Sequence, residues 1–78
     1  MESIEDRLQS SFEEKFGSRP ELSDGLAFIG VDSVGMAELT VEIEKEFGIK
    51  VQDDIVHADS VQDLADYIRE RLQAKNSQ

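Results

Sequence analysis

The sequence contains no cysteine and no tryptophan, a single proline, and only 8 lysines and arginines against 18 aspartates and glutamates, which leaves its 78 residues at a formal net charge of −10. Without cysteine there is no disulfide framework, no thiolate metal site and no thiol nucleophile, so stability has to come from packing. The shortage of bases argues against nucleic acid and anionic lipid as partners, because nothing in the chain clusters Lys and Arg to neutralise phosphates. No apolar run approaches a membrane span, and the opening Met1-Glu2-Ser3-Ile4-Glu5-Asp6 has neither the basic nor the apolar part of a targeting segment. A soluble, cytoplasmic monomer with no membrane insertion is the expectation. A chain of this length buries about 60% of its unfolded surface, enough for one modest core over residues 1–78 but not for a walled catalytic cleft, so a self-sufficient enzyme is not expected.

What is present is regular. The acids are spread along the chain, with 7 acids and 3 bases in residues 1–31, 5 and 2 in 32–51, and 6 and 3 in 52–78. An acidic tail on a neutral domain is thereby excluded. Apolar residues recur at helical spacing in three segments. Ser3 is an N-cap with Asp6 three residues on, followed by Ile4, Leu8, Phe12 and Phe16 on one stripe and Gly17 as a stop. Asp32 caps a second segment whose Met36, Leu39, Ile43 and Phe47 form the inward face before Gly48. Ser60 with Asp63 opens a third, with Val61, Leu64, Ala65, Ile68 and Leu72 on one side, Arg69, Arg71 and Lys75 toward its C-terminal end, and a fraying Ala74-Lys75-Asn76-Ser77-Gln78. The long connection from Ser18 to Val31 holds the proline, a Ser23-Asp24-Gly25 turn and an apolar group, Leu26, Phe28 and Ile29, that is expected to fold over the core. Ile49-Lys50-Val51 is read as an extended connector with Val51 plugging the core, and Asp53 to His57 as one further helical turn. The fold class is therefore all-α: a small four-helix bundle of three main helices and one short one, with a long first loop.

Conventional catalytic patterns are missing. One histidine, His57, makes no metal cluster, Asp53-Asp54 lacks the further ligands of a calcium loop, and no metal site is expected. Ser33 could be set beside His57 on paper as a hydrolase, but Val31-Asp32-Ser33-Val34-Gly35 is not a nucleophile elbow, so no catalytic residue is assigned. The unusual feature is the junction Gly30 to Gly35. Ser33 is a hydroxyl in the first turn of a helix, where amides favour an attached phosphate; the same Asp32-Ser33 pair also reads as a plain helix cap. The helix that follows favours the former, because Val34, Ala37 and Val41 form an outward stripe flanked by Glu38, Glu42 and Glu44. Small apolar side chains ringed by carboxylates suit a basic docking groove.

The run Asp32-Ser33-Val34-Gly35-Met36-Ala37-Glu38-Leu39, continuing to Glu46-Phe47-Gly48-Ile49-Lys50-Val51, resembles the acyl carrier proteins, as do Ile4-Glu5-Asp6-Arg7-Leu8 and Ser60-Val61-Gln62-Asp63-Leu64-Ala65-Asp66-Tyr67-Ile68 at either end. The resemblance implies a covalent phosphopantetheine, taken from coenzyme A by a phosphopantetheinyl transferase and esterified to Ser33, whose terminal thiol carries acyl groups as thioesters. It implies that Asp32 assists the transfer through the transferase's magnesium ion. Val34, Ala37, Glu38, Val41, Glu42 and Glu44 match positions that face partner enzymes, namely the transferase and acyl-transferring and synthase enzymes with basic docking patches. Leu39, Ile43 and Ile68 are given a role in sheltering the acyl chain between helices. The implied pathways are fatty-acid, polyketide or related lipid biosynthesis. The sequence departs from the fatty-acid members in Leu26-Ala27-Phe28-Ile29-Gly30-Val31, where they carry an acidic-Leu-Gly approach, and in Gly35. Asp-Ser-x-Gly followed by Glu-Leu is also similar to the D-alanyl carrier proteins, which keeps a specialised aminoacyl or acyl carrier as an alternative. An acidic helical adaptor with no covalent cofactor is the alternative of a different class.

Overall fold

The computed structural model describes residues 3–76, with side chains through Ala74. Met1, Glu2, Ser77, Gln78 and the side chains of Lys75 and Asn76 lie outside the described residues. The chain forms α1 (Ile4–Phe16), a short α2 (Leu26–Ile29), α3 (Ser33–Phe47), a 3₁₀ helix (Asp53–His57) and α4 (Val61–Asn76). Among the described residues there is no strand, only an isolated antiparallel bridge between Gly25 and Ser60. The all-α bundle expected from the periodicity is the observed fold.

The helix ends follow from local chemistry. Ser3 Oγ accepts from the Asp6 amide at 3.1 Å, and Ser60 Oγ accepts from the Asp63 amide at 3.2 Å. Asp63 reaches back in turn, its Oδ2 accepting from the Asp59 amide at 3.1 Å, so the start of α4 is held from both sides. The inward faces meet in one core in which Phe12, Val61, Leu64, Ala65 and Ile68 are fully buried and Leu8, Leu39 and Ile43 nearly so. The described side chains bury no unpartnered polar atom. Replacing a side chain such as Phe12 by alanine would cost about 3–5 kcal/mol, a large part of what a domain of this size has.

The first loop folds over the core by backbone hydrogen bonds to the start of α4. The Leu26 amide donates to the Asp59 carbonyl at 2.8 Å, the Val61 amide to Asp24 at 3.2 Å, and the Gln62 amide to Leu22 at 2.9 Å. These bonds seat Leu26 in the core and let Leu26–Ile29 close one α-turn, α2, inside the long connection between α1 and α3. One part of that reading is corrected. Leu26 is buried and Ile29 packs against the core, but Phe28, on the opposite side of the turn, is 83% exposed. The connector after α3 is corrected too: Ile49 is the buried plug, whereas Val51 is half-buried and packs at the core's edge.

The 3₁₀ helix is tied to α4 by a polar cluster. Tyr67 OH donates to Asp54 Oδ1 at 2.7 Å and accepts from the Gln52 amide at 3.1 Å, while Arg71 bonds Asp54 Oδ2 at 2.6 Å and lies 4.8 Å above the Tyr67 ring. The Tyr67 hydroxyl, with Arg71 beside it, holds the Asp54 carboxyl below its ordinary value, and burial pushes the Tyr67 phenol up.

Candidate functional site

The turn between α2 and α3 sets the site. Gly30 takes φ +107°, a left-handed conformation that side chains resist, and its amide donates back to the Leu26 and Ala27 carbonyls at 3.2 Å each. The chain is thereby turned so that Asp32 stands at the head of α3. Asp32 Oδ1 accepts from the Gly35 amide at 2.7 Å, and the helical ladder begins with the Met36 amide donating to the Asp32 carbonyl at 2.8 Å. The amides of Ser33 and Val34 thus precede the ladder, and Ser33 is exposed in the first turn beside them. Gly35 contributes by what it lacks. A Cβ there would stand 3.3 Å from Asp32 Oδ1 and 3.7 Å from Val31 Cγ1, crowding the cap.

Beside Ser33 the structure is open. A cleft of about 390 Å³ lies between the end of α1, the Gly30–Asp32 turn and the first turns of α3, and both neighbours of Ser33, Asp32 and Val34, line it. Phe12 and Phe16 form its wall on α1, with ring centroids 5.8 Å apart. Phe16, expected on the inward stripe, is 39% exposed because the stripe runs out into this cleft. The cleft was not foreseen from the sequence, since it depends on how the C-terminal end of α1 meets the N-terminal end of α3.

The outward stripe of α3 is present: Val34 is 66% and Val41 50% exposed, and Ala37 is exposed with them. Its carboxylates are not equivalent. Lys15 on α1 places its Nζ 3.1 Å from Glu42 and 3.8 Å from Glu38. Glu44 is half-buried, and its Oε2 accepts from the Val51 amide at 2.9 Å, so it holds the connector that follows α3. Of the three side chains associated with acyl shelter, Leu39 lines the cleft beside Ser33, whereas Ile43 and Ile68 are sealed in the core. His57 is exposed at the end of the 3₁₀ helix and shares no hydrogen bond with Ser33.

Ser33 is thus an exposed serine at a capped helix start, open on one side and followed by a helix rich in carboxylates. Residues 6–68 match the family described as a phosphopantetheine attachment site. The chain is 33% identical over 79 residues to an acyl carrier protein of Thermotoga maritima, covering 91% of this chain and 94% of that one. The chain belongs to the acyl carrier protein family. It is also 43% identical over 54 residues to an acyl carrier protein of Rickettsia bellii strain OSU 85-389, covering 64% of this chain and 67% of the relative.

Members of this family are carriers, and the prosthetic group is a covalently attached phosphopantetheine. The geometry at Ser33 fits such a group on its own terms. The hydroxyl is exposed, the adjacent first-turn amides and helix dipole favour a phosphate, and the cleft leaves room next to it. Phosphopantetheine supplies a thiol on a flexible arm, the one nucleophile that this cysteine-free chain lacks. No helix among the described residues is long and apolar enough to cross a membrane.

Proposed function

We propose that Ser33 is the attachment residue and that the carrier holds acyl intermediates as thioesters for enzymes of fatty-acid or related lipid biosynthesis in the cytoplasm. The observation that carries this is the exposure of Ser33 in the first turn of α3, directly after the Asp32 cap. In the loading step the Ser33 hydroxyl attacks the phosphorus that bears pantetheine in coenzyme A. A phosphodiester forms, the phosphoanhydride bond breaks, and the nucleotide leaves with the electron pair. The proton of the hydroxyl goes to a base on the transferase. In this reading Asp32 assists the transfer by way of the transferase's magnesium ion, and the exposure of Asp32, whose Oδ1 holds the helix cap, supports that role.

Partners with basic patches read the face made by Val34, Ala37, Glu38, Val41 and Glu42, with the carboxylates setting approach and register and the small apolar centre giving contact area. Glu44 acts from beneath, by fixing the connector. Leu39, Ile43 and Ile68 are the side chains an inserted acyl chain would meet. Because Ile43 and Ile68 are packed, that insertion requires α3 and α4 to part.

Asp-Ser-x-Gly followed by Glu-Leu is similar to the D-alanyl carriers as well, so cargo is what separates the readings. Mass spectrometry of the protein isolated from its own cell reports arm and cargo together. A series of acyl thioesters on Ser33 supports the lipid role, a D-alanyl thioester supports the specialised carrier, and a bare Ser33 supports the acidic adaptor.

A further inference from the structure

The open cleft and the sealed core differ in a way that bears on where the arm rests. Phosphopantetheine is neither a lipid nor a salt. Outward from its phosphate it carries a geminal dimethyl group and a pair of amides before the thiol, so a surface that holds it needs apolar and polar groups close together. The cleft beside Ser33 has that composition. Phe16, Val31, Val34 and Leu39 supply apolar wall, while Lys15 and Glu38 supply a donor and an acceptor at its edge. At about 390 Å³ it lies at the small end of the about 300–1,000 Å³ range of small-ligand sites. Ser33 is not itself in the lining, but the residues on both sides of it, Asp32 and Val34, are, so the cleft lies within reach of an arm attached there. Gly35 forms part of the lining without projecting a side chain into it. On the opposite face Ile55 and Ile68 are buried, and the clefts of about 270 and 240 Å³ beside the 3₁₀ helix are lined mainly by polar and charged residues such as Asp54, Asp63, Asp66 and Glu70, which leave little apolar wall for the geminal methyls.

We propose that the cleft between the end of α1 and the start of α3 is the resting site of the unacylated phosphopantetheine arm, with its geminal methyls against Phe16, Val31 and Leu39 and its amides toward Lys15 and Glu38. This rests on Ser33 being the attachment residue. Docking there covers the exposed face of Phe16 and gives Lys15, which otherwise spans Glu42 and Glu38, an alternative partner in the arm's phosphate or carbonyls.

The test is NMR of the full chain before and after loading with phosphopantetheine, with loading verified by intact mass. The expected result is nuclear Overhauser contacts from the geminal methyls to Phe16, Val31 and Leu39, and their loss in Phe16→Ser with the arm still attached. Contacts to Ile55, Val56 or Ile68 instead would overturn the proposal. So would arm signals as sharp as those of free pantetheine, or contacts to Val31 and Leu39 that persist unchanged in Phe16→Ser. Failure of the protein to gain mass at Ser33 is a separate result, and it overturns the attachment reading itself.

Discussion

Lys15 on α1 stands 3.1 Å from Glu42 on α3, so a cation of the carrier itself occupies one of the carboxylates that partners are expected to read. The same ammonium lies 3.8 Å from Glu38. A basic partner therefore competes with Lys15 for both acids. Exposed pairs of this kind contribute about 0.2–1 kcal/mol, so Lys15→Met should tighten binding to a basic partner by up to about five-fold. Glu38→Lys with Glu42→Lys should abolish it. Titration calorimetry with the cognate transferase checks both, and a weaker complex with Lys15→Met would show that Lys15 itself makes the contact.

Asp32 has a structural and a functional task that substitution can separate. Asp32→Ala removes the acceptor for the Gly35 amide and should cost about 1 kcal/mol, or about 4–8 °C in Tm for a domain of this size. Asp32→Asn keeps an acceptor and should hold the Tm close to wild type. Both should slow phosphopantetheine transfer, because both lose the charge. Calorimetric melts alongside a transfer assay check the split, and transfer at the wild-type rate in Asp32→Asn would confine Asp32 to capping.

The carboxyls of Asp54 and Glu5 sit below their ordinary values, Asp54 through the Tyr67 hydroxyl and Arg71, Glu5 chiefly through its hydrogen bond from Arg69. Depressed folded-state values mean that the stability they contribute is complete above the unfolded carboxylate range and is lost as pH falls through the folded-state values. Acidification should therefore loosen the 3₁₀ helix from α4. Tyr67→Phe should return the Asp54 carboxyl toward its ordinary value and move this loosening to higher pH. Carboxyl carbon shifts followed through an acid titration give the answer, and an unchanged Asp54 titration would remove Tyr67 as the cause.

A net charge of −10 on 78 residues makes the fold self-repelling. Raising salt from about 10 mM to about 150 mM shortens the screening length from about 30 Å to about 8 Å and should raise the Tm. Thermal melts across that range test it, and a Tm indifferent to salt would show that the ion pairs of the folded state already offset the repulsion.

The parts legible in the sequence are those fixed by neighbours in the chain. Ser3, Asp32 and Ser60 were readable as caps because each acts on an amide three residues away. The exposed position of Ser33 followed from the Asp32 cap. The parts that were not legible depend on distant segments. Whether Leu26–Ile29 closes a helical turn, and which of its apolar residues faces inward, is decided by the Leu26 bond to Asp59, so Phe28 could not be recognised as exposed. The burial of Ile49 in place of Val51 is linked to a carboxylate seven residues earlier, Glu44, which turns the Val51 amide toward α3. The Lys15 contact and the cleft beside Ser33 both arise where α1 meets α3, and no periodicity within either helix encodes that meeting.

The central claim is that Ser33 bears the arm. Its most direct test is intact-mass analysis of the wild-type protein and Ser33→Ala after incubation with coenzyme A, magnesium and a broad-specificity transferase. The account predicts one added phosphopantetheine on the wild type, located at Ser33 by peptide fragmentation, and none on a Ser33→Ala protein that melts as the wild type does. No gain on the wild type, or a gain that survives in Ser33→Ala, would contradict it.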